Sequence, residues 1–183
     1  IPSPRTPFTQ IRQVEPGEII ILNLSNNSKK HLKKSYNKII ENKNFDQEYI
    51  KSTISNSIIS STVSDVDIGL LLSSGLDSNI LLYELLENGI NVNPISIGFK
   101  SYEEFDETKT IKKIYDFYGL KENTIEISDF DFPSLLNKTV YHQDYLNSNL
   151  ANMAVYSIFE KAKLYNKVFL TGSGLDELYG GYM

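Results

Sequence analysis

Two short segments of this 183-residue chain combine small residues, hydroxyl groups and a carboxylate in a pattern suited to phosphate chemistry. They are residues 73–78, SSGLDS, and residues 171–182, TGSGLDELYGGY. Small residues let backbone amides approach a phosphate closely, and the free amides at a helix start donate to its oxygens. A carboxylate would repel phosphate unless a divalent cation lay between them, so Asp77 and Asp176 indicate magnesium. Either segment alone is equally typical of turns and N-caps, but the pair favours a functional site.

The composition limits how such an anion could be bound. Arg5 and Arg12 are the only arginines, cysteine is absent, and there are two histidines. A guanidinium clamp beyond residue 12, a cysteine nucleophile and a histidine-rich metal site are therefore excluded. The net charge of −5, from 18 basic and 23 acidic residues, disfavours binding to nucleic acid or to an anionic membrane. The anion must be bound through backbone amides, metal ions or lysine.

Strands and helices alternate around the two segments. Hydrophobic patterning predicts a strand at residues 66–72 before the first segment and another at 167–171 before the second, with further strands at 93–99 and 123–127. It also predicts helices at residues 79–87, 104–118, 132–141 and 148–164, and an amphipathic helix that begins after Asp46 as its N-cap. This alternation predicts an α/β fold with a parallel sheet and helices on both faces.

In such a sheet, ligands bind beyond the carboxyl ends of the strands, where the strand order reverses. If the strands that precede Asp77 and Asp176 are neighbours at this point, the two carboxylates face one cleft and can share a metal ion.

The N-terminal region differs from the rest of the chain. Residues 15–18, EPGE, predict a turn, residues 19–22 a short strand, and the polar residues 25–30 a loop or linker. We predict a short β tail over residues 1–36 and a second domain over residues 37–183. No apolar run approaches the roughly 18 residues of a membrane span, so we expect a soluble, cytoplasmic protein. Because the chain begins at Ile1 and ends at Met183 just after a Gly-Gly-Tyr, we expect part of a longer or split polypeptide.

The motifs resemble those of a known family. Residues 73–78 resemble the SGGLDS pyrophosphate loop of the PP-loop ATP pyrophosphatases, and residues 172–182 resemble the Gly-x-Gly-x-Asp-Glu-x-x-Gly-Gly-Tyr signature of the asparagine synthetase family. Residues 105–107, FDE, are similar to that family's Phe-Asp-Glu, and residues 6–17 to the end of its glutaminase domain. The resemblance implies a glutaminase-like tail with a linker at 1–36 and a C-terminally truncated ATP-binding synthetase domain of PP-loop fold at 37–183.

The resemblance also implies a reaction, in which ATP and Mg²⁺ activate a carboxylate as an acyl-adenylate and an amine then displaces AMP to form an amide. With aspartate and glutamine or ammonia, the product is asparagine. Carried over by position, Asp77 and Asp176 would bind magnesium and, with Ser173, form the catalytic set. The residues that the resemblance assigns to ATP and pyrophosphate are Leu71, Ser73, Ser74, Gly75, Leu76, Asp77, Ser78, Ile97, Gly98, Thr171 and Gly172.

Three departures keep alternatives open. Ser74 replaces the first glycine of the loop, which a small side chain tolerates if φ stays negative. Ser173 stands where asparagine synthetases usually carry an acidic residue, and a serine hydroxyl is a poor general base at neutral pH. The family's N-terminal cysteine and its lysine beyond the Gly-Gly-Tyr lie outside this chain.

Three hypotheses remain. The first is an asparagine-synthetase-like amidotransferase. The second is an amide- or lactam-forming synthetase acting on a different carboxylate, as in β-lactam and macrolactam synthetases. The third is a nucleotide-binding fragment that works only with a partner chain. We expect as partners a small carboxylate substrate and the missing glutaminase and C-terminal portions, in the same or another chain; the oligomeric state stays open.

Overall fold

The computed structural model describes residues 3–33, 46–98, 106–126, 132–144 and 151–181. The chain divides into two compact units, Ile1–Phe45 and Asp46–Met183. The domain boundary predicted between residues 36 and 37 lies outside the described residues.

The first unit contains an antiparallel hairpin of β1 (Glu18–Asn23) and β2 (Ser28–Lys33), in which Glu18 is paired with Lys33 and Asn23 with Ser28. The prediction of a loop over residues 25–30 is therefore wrong from Ser28 onward. The turn is closed by Asn26, whose Oδ1 accepts from the amide of Ser28 at 3.0 Å, and by Asn27, whose φ is 51°. β2 lacks an apolar alternation, so no hydrophobic pattern marks it as a strand, and only its pairing with β1 makes it one.

The second unit is built on a four-stranded parallel sheet of β3 (Ile68–Leu71), β4 (Asn93–Gly98), β5 (Thr124–Glu126) and β6 (Val168–Leu170). The strand order is β5-β4-β3-β6. The chain thus moves outward from β3 to β5 and then returns to the other side of β3. The strand order reverses between β3 and β6, which is where ligands bind in sheets of this kind.

In the described part of this unit the strands are accompanied by helices α1 (Gln47–Ser60), α2 (Leu76–Glu87), α3 (Thr108–Tyr118), α4 (Phe132–Gln143), α5 (Ala151–Ala162) and α6 (Leu175–Tyr179). Asp46 caps α1 as predicted, since its Oδ1 accepts from the amide of Tyr49 at 3.0 Å. α2 begins at Leu76 rather than at residue 79. The predicted starts of α3 and α5, at residues 104 and 148, lie outside the described residues.

Two hydrophobic cores cover the two faces of the sheet. Ile68, Leu70 and Leu72 pack with α1, α2 and α3 in the first core. The second core joins Ile95, Ile125 and Phe169 of the sheet to α5 through Ala162. Neighbouring residues of a strand point to opposite faces, and Gly69 accordingly lies against the Phe169 ring, where a Cβ would overlap it. The predicted α/β fold with helices on both faces is confirmed.

Within the described part of the chain, none of the helices combines the length and the apolar character that crossing a bilayer requires.

Candidate functional site

Two loops leave neighbouring strands side by side: the first loop, residues 72–75, follows β3, and the second loop, residues 171–174, follows β6. The strands are paired from Ile68 with Val168 to Leu70 with Leu170. A Cβ added to Gly172 would lie 2.9 Å from Cβ of Asp77 and 3.0 Å from the amide nitrogen of Ser78. The backbone of the second loop therefore packs directly against the first turn of α2, and only glycine leaves room for this approach.

A cleft of about 860 Å³ lies between these loops, β4 and α5. Most of the residues predicted for the site line it. These are Leu71, Ser73, Gly75, Leu76, Asp77, Ser78, Ile97, Thr171, Gly172, Ser173 and Asp176. Two predicted residues are not part of its lining. Gly98 lies against Thr108 at the start of α3, whose methyl group a Cβ would approach to 2.6 Å, and the backbone of Ser74 is hydrogen bonded to Glu107.

Side-chain hydrogen bonds hold the first loop. The buried hydroxyl of Ser78 accepts from the amide of Ser73 at 3.1 Å and lies 3.1 Å from the carbonyl oxygens of both Ser73 and Gly75. Nδ2 of Asn79 donates to the carbonyl oxygen of Gly75 at 2.7 Å. Ser74 is not among the non-glycine residues with positive φ, so serine fits this position without backbone strain. The loop keeps its shape through these contacts within its own sequence neighbourhood and through the bond from the Ser74 amide to Glu107.

The first turn of α2 opens onto the cleft. Gly75 is the N-cap and makes no side-chain capping bond. The amides of the first turn therefore lack the acceptor that a serine or aspartate cap would supply. Such a helix start is suited to an anion. Asp77 lies in the same turn and adds the only formal charge that this turn presents to the cleft.

Glycine shapes the second loop and the short helix that follows it. Gly174 and Gly180 have φ values of 107° and 71°, in the left-handed region that favours glycine. The carbonyl oxygen of Asp176 accepts from the amides of Gly180 at 2.8 Å and Gly181 at 3.1 Å. A Cβ on Gly181 would overlap the Asp176 carboxylate. Gly181 thus leaves space for this carboxylate beside the chain.

The acidic residues of the cleft fit one kind of metal site. Among the described residues, no group of three or more histidine, aspartate or glutamate side chains could hold a metal ion. Asp77 and Asp176 nevertheless line the same cleft. Magnesium commonly takes one or two carboxylates and completes its coordination with water and substrate phosphates. The donor set therefore suits a cation that arrives with a polyphosphate better than one held by protein alone.

Two features in and beside the cleft were not predicted from the sequence. Val155, Ile158 and Phe159 of α5 line one wall, and their helical spacing was visible in the sequence, but the sheet face that α5 covers was not. Glu107, which binds the first loop, belongs to the FDE stretch, and that pattern alone assigns it no role.

A buried hydrogen-bond network anchors α3 behind the cleft. The fully buried Tyr115 places its hydroxyl 3.3 Å from Oγ of Ser96 on β4 and 3.4 Å from the carbonyl oxygen of Asn123. Burial raises the pKa of the Tyr115 hydroxyl, so it stays protonated and can donate. This contact fixes the position of α3 against β4 and hence near the first loop.

Comparison with known proteins identifies the family. Residues 49–183 match the family model described as asparagine synthase. The chain belongs to the asparagine synthase family.

Relatives of the chain include glutamine-hydrolyzing asparagine synthetase 1 from Bacillus subtilis, with 27% identity over 184 residues, 100% of this chain and 29% of the relative. Putative glutamine-hydrolyzing asparagine synthetase 2 from Methanocaldococcus jannaschii is 28% identical over 192 residues, 100% of this chain and 36% of the relative. The chain thus spans about a third of the length of these curated relatives.

Among solved structures, the chain is similar to NMN synthetase from Francisella tularensis, with a TM-score of 0.48 and 15% identity over 76% of this chain and 60% of that one. It is also similar to NH3-dependent NAD synthetase from Campylobacter jejuni, with a TM-score of 0.43 and 18% identity over 76% and 62% of the two chains.

Proposed function

We propose that this chain is the nucleotide-binding part of an ATP-dependent, amide-forming ligase that activates a carboxylate by adenylation. The observation that supports this most strongly is the pairing of β3 with β6, because it brings together the two loops that lead into α2 and α6, whose first turns carry Asp77 and Asp176, and both residues line one cleft. Membership of the asparagine synthase family supports the same reaction class.

In this proposal the cleft binds ATP in two parts. The first loop and the start of α2 hold the pyrophosphate portion through backbone amides and the hydroxyls of Ser73 and Ser78. Leu71, Ile97 and the Thr171–Gly172 backbone border the nucleoside, with the apolar side chains of α5 as the opposite wall. Asp77 and Asp176 would be the protein ligands for Mg²⁺, which when bound would neutralise charge on the departing pyrophosphate.

The chemistry then needs little beyond positioning. An oxygen of the substrate carboxylate attacks the α-phosphorus, the bond from that phosphorus to the α,β-bridging oxygen breaks, and pyrophosphate leaves. An amine attacks the acyl carbon, loses a proton, and AMP departs with the bonding electron pair. The chain contributes by holding the reacting groups in line and by placing donors at the leaving oxygens.

Aspartate is the first candidate substrate, since the relatives are named as asparagine synthetases.

Ser173 favours a second candidate, an amide- or lactam-forming synthetase with another carboxylate or amine. Its Oγ lies 3.3 Å from Thr171 Oγ1 as hydrogen-bond acceptor, and a serine hydroxyl does not serve as a base at neutral pH. A nucleotide-binding fragment that acts with a partner chain is the remaining alternative.

Exchange of labelled pyrophosphate into ATP distinguishes these candidates. Magnesium-dependent exchange with aspartate would support the asparagine-forming reaction, and exchange only with other carboxylic acids would support the second candidate. Binding of magnesium-ATP without exchange would leave a nucleotide-binding fragment. Asp77→Asn, which keeps the size of the side chain but removes its charge, should abolish any exchange. An unaffected rate in this variant would contradict the proposed role of Asp77.

A further inference from the structure

One backbone donor of the first loop already binds a carboxylate. The amide of Ser74 donates to Oε2 of Glu107 at 2.9 Å, across 33 residues of sequence. Glu107 is exposed, stands at the N-cap position of α3, and makes no side-chain capping bond to its own helix. Its carboxylate therefore binds the first loop and does not cap α3.

The neighbouring acid shows that this arrangement is specific. Asp106 Oδ1 accepts from the amide of Thr108 at 3.3 Å, and its Oδ2 accepts from Oγ1 of the same residue at 2.8 Å. Asp106 thus binds the start of α3, while Glu107 extends to Ser74. Because α3 is fixed to β4 through Tyr115 and Ser96, the backbone of Glu107 has a defined position beside the loop.

A carboxylate at this point conflicts with a phosphate. An N–H group makes one strong hydrogen bond, and two anions that approach the same donor repel each other. Glu107 is also unsuited to be a third metal ligand with Asp77 and Asp176, since no such triad exists among the described residues.

We propose that Glu107 is a displaceable carboxylate that occupies the Ser74 amide until the pyrophosphate portion of the nucleotide takes its place. This inference rests on the proposed function, because it requires that the first loop binds pyrophosphate. Glu107 keeps the loop formed before ATP arrives, and it weakens the binding of anions that must displace it. It is a positioning and selectivity residue and takes no part in the chemistry.

The test is Glu107→Gln, which keeps the side-chain length and an oxygen acceptor but removes the negative charge. Titration with inorganic pyrophosphate in the absence of magnesium, followed by calorimetry, should give an affinity about 3- to 10-fold tighter than that of the parent. In the absence of ligand, the ¹H–¹⁵N resonance of Ser74 should differ between the two proteins, and the two resonances should converge at saturating pyrophosphate.

Glu87→Gln is the matched control. Glu87 is exposed and is the last residue of α2, about 16 Å along the helix from its first residue. The Glu87→Gln variant loses the same charge as Glu107→Gln but far from the first loop, so its pyrophosphate affinity should equal that of the parent. Thermal unfolding of both variants checks that the fold is intact.

The remaining outcomes distinguish failure of this inference from failure of the proposed function. If the parent binds pyrophosphate and Glu107→Gln binds it equally or more weakly, the displacement mechanism is wrong and the proposed function stands. Weaker binding of magnesium-ATP alone would make Glu107 a metal ligand and also overturn the inference. If the parent binds neither pyrophosphate nor magnesium-ATP, the proposed function is wrong, and the inference fails with it.

Discussion

The two loops that face the cleft are built in different ways. The first loop is held by hydroxyl and amide side chains, and it leads into a 12-residue helix whose Leu82 and Leu85 are fully buried. The second loop is shaped by glycines and leads into a helix of five residues, none of them buried. The first is thus fixed by local chemistry and the core, whereas the second is placed by strand pairing and by the close approach of Gly172 to α2.

This difference has a functional meaning under the proposed reaction. A preformed first loop can bind the pyrophosphate without rearranging, which lowers the entropic cost of binding. The second loop leads into α6, whose Asp176 and Glu177 line the cleft, and Asp176 needs only to approach closely enough to share a cation. Substitutions in the two loops should therefore have different consequences.

The largest effect is expected for the metal ion that Asp77 and Asp176 are proposed to share. Asp77→Ala and Asp176→Ala should each weaken magnesium-dependent ATP binding by about 30- to 150-fold, since each removes a charged interaction of about 2–3 kcal/mol. The fold should persist. Calorimetric titration of ATP with and without magnesium measures the effect, and Asp116→Ala, an exposed residue of α3, controls for the lost charge. Unchanged magnesium-dependent ATP binding in either Asp77→Ala or Asp176→Ala would contradict the proposal of a shared metal ion.

A smaller effect is expected for the contact between the loops. Gly172→Ala should lower the free energy of unfolding by about 1–3 kcal/mol, because its Cβ would overlap Asp77 and the backbone of Ser78. Chemical denaturation gives the value, and ATP affinity should fall as well. Gly89→Ala is the comparison: it has a φ of 67° and open space around it, so it should destabilise the fold without changing ATP affinity. Equal ATP affinity in both variants would show that the contact of Gly172 is unimportant for the site.

The first loop should depend on one buried hydroxyl. Ser78→Ala leaves the amide of Ser73 without its acceptor, which should cost about 1–2 kcal/mol of stability and loosen ATP binding. Ser60→Ala removes an exposed hydroxyl that binds only a carbonyl of its own helix and should be nearly neutral. Denaturation midpoints of the two variants decide whether side-chain hydrogen bonds hold the first loop as described.

The smallest effect is expected away from both loops, on the pair formed by Lys138 of α4 and Glu160 of α5. The hydrogen bond from Lys138 Nζ, at 3.2 Å, lowers the pKa of Glu160. A lowered pKa gives stability that is present above the unfolded value near 4.5 and is lost as the pH falls through the folded value. Lys138 is about half exposed and the Glu160 side chain is 39% exposed, so water screens the pair to below about 1 kcal/mol.

Melting temperatures of the parent and Glu160→Gln at pH 7 and pH 3 test this. The small deficit expected for the variant at pH 7 should vanish at pH 3, and its ATP affinity should match that of the parent. A deficit that persists at pH 3 would mean that packing, rather than charge, is what the substitution disturbs.

The order of strands and helices in the second unit could be predicted from the sequence because its signals are local. The apolar run at residues 68–72, between Asp67 and Ser73, and Asp46 before an amphipathic run are each recognised from a few neighbouring residues. The small residues and aspartates of residues 73–78 and 171–182 led to the proposed phosphate and metal chemistry for the same reason. β2 was not predicted because a polar strand carries no such pattern, and α6 was not predicted because five residues are too few to show a helical period.

Which of these residues come into contact depends on the tertiary structure. Strand pairing, not sequence, brought β6 next to β3 and so put Asp77 and Asp176 in one cleft. The same holds for the wall supplied by α5 and for the bond from Ser74 to Glu107, which joins residues 33 positions apart. Local patterns report the conformation of a segment. Contacts between distant segments depend on which faces are buried together, and burial is a property of the whole fold.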